Sequence, residues 1–219
     1  MKKPKFQLQI PFNPNNPFDK LGQSHNYLVG VLHENYDAEI EAISDLNERQ
    51  AFIMEKTHDI VLDFYQDDID VHFLDNVPGN PGLYSNIDFS TYATIFNDMT
   101  GLSAADRSTL IDLFNEITTL PIDDDIDVAN ALCTVIQFEN NFLRNEDNQT
   151  NSIVLGTIAI AKYSLYYTQT EVEPPAFRIK WWHVLADAIG GTAGGLLAGP
   201  GGILAGAVAG TTIYEKCVD

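Results

Sequence analysis

The chain has 219 residues, 45% of them apolar and 11% aromatic, enough to build a sizeable core and too many for a wholly disordered chain. Its 12 basic and 31 acidic residues give a formal net charge of -19. That charge repels phosphate backbones, which excludes nucleic acid as a partner, and it opposes anionic lipid unless a local basic or apolar segment overcomes it.

Two cysteines, Cys133 and Cys217, cannot make a disulfide framework. The N-terminus carries Lys2, Lys3 and Lys5, but no apolar run follows them, and Pro4, Pro11, Pro14 and Pro17 would interrupt one. No Sec signal is therefore expected, and the default location is the cytoplasm. Membrane association, or export by a route that needs no signal, stays open beside that default.

Residues 1–20 read as an extended N-terminal arm, with Phe12 and Phe18 as the side chains that would pin it. From Gly22 the apolar period becomes helical. Tyr27, Leu28, Val31 and Leu32 share one face, and Ile40 and Ile43 suggest a second short turn. The spacing predicts a helix over 45–67, capped by Asp45 with Glu48 as its capping-box partner. Phe52, Ile53, Ile60, Leu62 and Phe64 would supply its core face.

Pro78-Gly79-Asn80-Pro81-Gly82 marks a loop within 76–87. Helices are expected at 88–100 and from Ser103 to about Thr118, with Gly101 at the turn between them. Another starts near Asp124 or Asp125 and runs to Arg144, and a strongly apolar one covers 151–168. No period-2 strand pattern appears. The expected fold is all-α: an acidic, orthogonal or bundle-like helical domain over 21–172, followed by a Trp linker and a glycine-zipper helical hairpin over 173–219.

The tail is the most informative segment. Residues 188–214 carry no charged side chain and hold nine of the fifteen glycines. Gly191, Gly195 and Gly199 stand four apart, as do Gly202, Gly206 and Gly210, while Gly190 and Gly194 double the first row. Residues four apart share a helix face, so such rows strip Cβ atoms from one stripe and let another backbone approach. Each interior glycine costs a helix about 0.8–1.0 kcal/mol relative to alanine, so the segment needs a partner or a bilayer to hold its helix.

Pro200 among glycines signals a turn between arms of about 18 Å, each too short to span a ~30 Å hydrocarbon core alone. Trp181, Trp182 and His183 precede the segment, Tyr214 and Lys216 close it, and Arg178 and Lys180 add local positive charge, the flanks of an interfacial segment. Trp181, Trp182 and the six glycines of the two rows are thus the candidate residues for membrane or self-association. In the competing reading the hairpin is soluble, packs against the domain and uses both tryptophans as core aromatics.

Signals for chemistry are weak. The histidines are His25, His33, His58, His72 and His183, with no HExxH among them. Metal ligation by His25 or His33 with Glu34 competes with ordinary capping or solvation. Cys133, amid Leu132, Val135 and Ile136, reads as a small core residue, and Cys217 as an exposed one. Asp123, Asp124, Asp125 and Asp127 lack the glycine and glutamate register of an EF-hand and suit a helix N-terminus. Asp67, Asp68, Asp70 and Asp75 read as a solvated acidic face. No phosphate-binding glycine loop or nucleophile elbow occurs. No catalytic residue, metal or cofactor is expected.

The opening Asn16-Pro17-Phe18-Asp19-Lys20-Leu21-Gly22-Gln23-Ser24-His25-Asn26 is similar to an NP[FY]DxxGxxHN pattern. Together with Ala161-Lys162-Tyr163-Ser164-Leu165-Tyr166-Tyr167, a Trp-containing linker and a glycine-zipper tail, it resembles uncharacterised bacterial proteins of about this size. The resemblance covers both ends and leaves the middle unmatched, and it implies an architecture rather than an activity. The tail also looks, in composition, like those of bacteriocin-type membrane-active peptides. A local account of the opening is that Asp19 caps the first helix while His25 and Asn26 hydrogen-bond the arm to the body.

The leading expectation is a non-enzymatic helical protein whose tail mediates membrane association or self-assembly, with a bacteriocin-like or competition role as its setting. The alternative is a soluble all-α protein-interaction module whose tail completes its own core. An enzyme or metal protein centred on His25, His33 and Glu34 ranks third.

Overall fold

The computed structural model describes residues 10–65, 91–122, 125–170 and 181–218. The expected loop at 76–87, the acidic run at 67–75, Asp123, Asp124, Glu173-Pro174-Pro175, Arg178 and Lys180 lie outside them. Every regular element among the described residues is helical: α1 (Asp19–Ala42), α2 (Leu46–Tyr65), α3 (Tyr92–Asp98), α4 (Ala104–Ile117), α5 (Asp125–Leu143), α6 (Ser152–Thr170) and α7 (Trp181–Ile213). A 3-10 segment, Glu146–Thr150, joins α5 to α6, and a π-helical segment, Tyr214–Val218, follows α7. The all-α, bundle-like expectation holds.

The arm enters α1 through two Asx turns. Asn13 Oδ1 accepts from the Asn15 amide at 3.1 Å and Asn16 Oδ1 from the Phe18 amide at 2.8 Å, so side chains complete turns that Pro14 and Pro17 pre-shape. Phe18 packs on Leu21, Ile160 and Ile203. Phe12 is 56% exposed and pins nothing. No side chain caps α1, which corrects the assignment of that role to Asp19. The helix starts three residues before Gly22 and runs unbroken past Ile40.

Its buried stripe is Leu21, His25, Leu28, Val29 and Leu32, so Tyr27 falls to one side, 62% exposed, against the ring of Phe64 at 5.9 Å. In α2, Asp45 Oδ1 accepts from the Glu48 amide at 3.0 Å, as a cap should. Gln50, Ile53, Thr57, Ile60 and Val61 make its inner face, and Leu62 and Phe64 are rotated off it. Ser103 Oγ caps α4 by accepting from the Asp106 amide at 3.1 Å. Cys133 is exposed, because α5 buries Val128, Ala131, Leu132 and Val135 on the opposite side.

The glycine-rich segment forms one hairpin at the centre of the molecule. Ala198 and Gly199 leave helical geometry, Gly199 with φ of +62°, a left-handed conformation that favours glycine. The chain reverses there into arms 181–197 and 200–213. Val184, Leu185, Ala188 and Ile189 of the first arm join a core with α3 to α6. Leu204, Ala205, Val208, Ala209 and Ile213 of the second join a core with α1 and α2. The hairpin is therefore a shared wall, and the segment that Pro174-Pro175 sets apart in sequence completes both cores.

Candidate functional site

The two arms meet along a seam of small residues. A Cβ on Gly202 would collide with the carbonyl of Gly194, one on Gly206 with that of Gly190, and one on Gly210 would come within 2.5 Å of that of Ala186. These pairs lie four, eight and twelve residues either side of Ala198, a regular antiparallel register. The row 202-206-210 is thus the packing row that its spacing suggests. Its partner is Ala186-Gly190-Gly194, and the expected row of Gly191, Gly195 and Gly199 is displaced by one residue around the helix. Gly191 and Gly195 lie against Ile203, and Gly199 is the turn.

Trp181 donates from Nε1 to the Leu120 carbonyl at 2.9 Å, and both Trp181 and Trp182 pack half-buried on the larger core. Residues 181–217 are long and apolar enough to cross a membrane by length and composition, and most of that stretch is buried inside the protein.

The opening motif is a docking strip: Asn16, Asp19, His25 and Asn26, the polar residues its pattern fixes, each have a partner on another element. Asn16 Nδ2 donates to Glu139 Oε1 at 2.6 Å and to the Leu155 carbonyl at 3.2 Å. Asn13 Nδ2 donates to Glu139 Oε2 at 2.7 Å. Asp19 Oδ1 pairs with Lys162 Nζ, and Asp19 Oδ2 accepts from the Tyr163 hydroxyl at 3.0 Å. Lys162 Nζ also donates to both oxygens of Glu139, at 2.8 and 3.0 Å. The side chains of Asp19, Glu139 and Lys162 are 0–1% exposed. One cation and two carboxylates thus share a dry pocket, closed on one side by asparagine amides and on the other by a phenol. Burial and the nearby Asp19 carboxylate push the Tyr163 hydroxyl pKa up, keeping that proton on oxygen.

A turn further along, Gly22 sits where a Cβ would press on the Ala159 carbonyl and the Tyr163 ring. His25 and Asn26 follow. Asn26 Nδ2 donates to the Tyr163 carbonyl at 2.8 Å, which leaves Asn26 Oδ1 as the acceptor for His25 Nδ1–H at 3.0 Å. His25 Nε2 then faces Thr211 Oγ1 at 3.3 Å and Asp187 Oδ2 at 3.7 Å. Asp187 accepts from Ser164 Oγ at 2.6 Å and from the Thr211 hydroxyl.

Burial dominates both ionisable groups here. It lowers His25 to about 4, against the hydrogen bonds it donates to Asn26 and to the Ala207 carbonyl. It raises Asp187 to about 8, against hydrogen bonds from Ser164 and Thr211. The pair is therefore neutral at pH 7. Serine, histidine and aspartate meet in this cluster, but the serine bonds the aspartate rather than the imidazole and every member is sealed from solvent, so no nucleophile is presented to a substrate.

His25 and Asn26 thus hydrogen-bond to the body as expected, though from within α1. The third-ranked metal reading finds no support in this geometry. His25 lies in that sealed cluster while His33 bonds Asp37 at 2.8 Å and Glu215 at 3.1 Å, and no group of three metal-ligating side chains converges among the described residues. Sequence reasoning missed Lys162, Glu139, Ser164, Asp187 and Thr211. Lys162 is the lone charge in the apolar run 152–166, and Asp187 the lone charge in 181–214, a signal that was available. The chain matches no family model, no curated protein and no solved structure.

Proposed function

We propose that the protein is a non-enzymatic helical carrier of an apolar hairpin, which its sheath of amphipathic helices keeps in solution and which enters a membrane, alone or with other copies, when the sheath opens. The supporting observation is how the hairpin divides its surfaces. Glycine and alanine, with Ile203 against Gly191 and Gly195, fill the seam between the arms, while Leu185, Ile189, Leu204 and Val208 face outward onto the sheath. Exchanging the sheath for acyl chains leaves the seam intact and the aliphatic face in an apolar medium. Asp187 is the one carboxyl in the arms, and an apolar medium, like the core it leaves, favours its neutral form, which carries little of the penalty that bars ionised acids from lipid. The arms reach about 26 and 21 Å at ~1.5 Å per residue, most of a hydrocarbon core of ~30 Å. A bacteriocin-like or competition role is the setting such a hairpin suits.

The second reading, a soluble all-α interaction module, is favoured by a different observation: the seam is already satisfied within one chain, and both tryptophans are engaged in the core. Removing the hairpin would strip a wall from both cores, so truncation does not separate the two readings. Liposome flotation of the full chain does, on zwitterionic vesicles at pH 7 and pH 4.5, beside Leu197→Glu. Leu197 lies at the hairpin tip and is 49% exposed, so a charge is tolerated in the closed form and costly in lipid. Flotation at either pH that Leu197→Glu abolishes, with helicity unchanged, supports the carrier. Absence of flotation at both pH values, with the fold intact, leaves the soluble module.

A further inference from the structure

We infer that Lys162 and Asp19 form an intramolecular isopeptide bond, with Glu139 as the proton shuttle. The bond would tie the first turn of α1 to the middle of α6 and close a loop through most of the chain. This goes beyond the carrier reading and does not depend on it.

Three observations carry the inference. First, nucleophile and electrophile are already together. Lys162 Nζ is in direct contact with the Asp19 carboxyl, and neither side chain is more than 1% exposed. Holding an amine against a carboxyl in one geometry removes the translational entropy that otherwise makes amide formation slow. Second, the two carboxyls are differently dressed. Glu139 has both oxygens held, by Asn13 Nδ2, Asn16 Nδ2 and Lys162 Nζ, which fixes it against the amine, in position to take a proton from it and return it. Asp19 has one oxygen on the amine and the other on the Tyr163 hydroxyl. A phenol at 3.0 Å is a donor placed where charge develops when the carbonyl carbon becomes tetrahedral. Third, the site is dry, so the water released leaves an environment poor in water, and the reaction removes a buried ammonium and a buried carboxylate, whose desolvation is the cost of keeping them there.

The step balances with no co-reactant. Glu139 takes one ammonium proton and passes it to the Asp19 carboxyl, and the amine then attacks Cγ of the neutral acid, forming the C–N bond while the Tyr163 hydroxyl donates to the developing oxyanion. A second proton leaves the nitrogen, the C–O bond breaks, and one oxygen departs as water carrying two of the three original ammonium protons. The third stays on the amide nitrogen, and Glu139 ends as the carboxylate it was. Nothing is oxidised or reduced.

The test is the intact mass of the full purified chain under denaturing conditions, followed by proteolysis and fragment sequencing. The expected mass is lighter than the sequence by one water, with a branched peptide joining the segments around Asp19 and Lys162 and no tryptic cleavage after Lys162. Lys162→Arg and Glu139→Gln should each restore the uncondensed mass. Asp19→Asn should condense with loss of ammonia to the same product mass as the parent. A parent chain at its full sequence mass overturns the inference outright, without any variant having to fold. A water loss that fragment sequencing places elsewhere overturns it equally. Glu139→Gln that still condenses overturns the role given to Glu139.

Discussion

Two buried polar clusters lie less than two turns apart on α1, at Asp19 and His25, and they solve the same problem in opposite ways. At Asp19, Glu139 and Lys162 the fold opposes two carboxylates with one ammonium and surrounds them with amide and phenol donors. At His25 and Asp187 it removes charge altogether, leaving a neutral acid beside a neutral imidazole. The difference follows from what each neighbours. The first lies between α1, α5 and α6, where an arm rich in asparagine supplies donors. The second lies against the hairpin, where small side chains and two hydroxyls are all the second arm and α6 can offer. A core that cannot supply donors is better served by neutral groups.

The largest effect that sharpens this contrast comes from unbalancing the charged cluster. Lys162→Met leaves two carboxylates facing each other in the core, and we expect a loss of about 3–5 kcal/mol, read from urea unfolding monitored by helicity. The combined variant Asp19→Asn, Glu139→Gln, Lys162→Met removes the stranded charges and should regain at least half of that loss where the parent carries the free ion pair; where Asp19 and Lys162 are joined, both variants also lack the cross-link and most of the deficit should persist. If the single variant unfolds no more easily than the parent, neither charge pairing nor a covalent tie holds α1 to α6.

The neutral cluster should instead announce itself through pH. Asp187 binds a proton in the fold up to about 8 and loses it near 3.8 when unfolded, so it removes stability as pH rises through that interval. His25 takes a proton near 6.5 when unfolded and only near 4 in the fold, so it removes stability as pH falls. Between about 4 and 6.5 the two slopes oppose and nearly cancel. Above 6.5 only Asp187 remains of the pair, and stability should fall by about 1.4 kcal/mol per pH unit until about pH 8. Asp187→Asn keeps an acceptor for Thr211 but has no proton to lose on unfolding, so it should flatten that fall and raise stability at pH 6 by about 3 kcal/mol. A parent curve that is level from pH 6.5 to 8 would mean the buried acid ionises without penalty.

The same clusters show what could be read from sequence. Helix positions, the Ser103 and Asp45 caps and the turn at Gly199-Pro200 follow from local patterns, because caps and breakers act over a few residues. The glycine rows were legible as a packing stripe, but their register was not. The spacing of four marks a face without saying which neighbouring face is its partner, and the choice between 190-194 and 191-195 is set by Ile203, which occupies the side of Gly191 and Gly195. Asp19 looked like a cap because caps are local, whereas Lys162 lies 143 residues away. Tyr27 and Cys133 were misplaced for a simpler reason: one step of 100° on a helix separates the core side from the solvent side.

The smallest expected effect tests whether titration beyond the neutral cluster shares its slope. His33 of α1 holds the last turn of the chain, bonding Glu215 and Asp37, while Lys216 reaches Asp37 at 3.0 Å and Glu41 at 2.8 Å, and Arg49 of α2 donates to the Lys216 carbonyl at 2.6 Å. Burial lowers the His33 pKa, but the hydrogen bonds and charges of Glu215 and Asp37 outweigh it and raise the value above 6.5. The stabilisation is therefore fully present below 6.5 and fades as pH rises through the raised value, in the same direction as Asp187. The His33 side chain is 24% exposed and its partners are partly solvated, so the contribution should be no more than about 1 kcal/mol. In the Asp187→Asn background a shallow fall above pH 6.5 should persist, and adding His33→Gln should remove it. If the slope survives both changes, a proton outside α1 and the hairpin governs the alkaline limb, and the tie between α1 and the chain's last turn is not pH-sensitive.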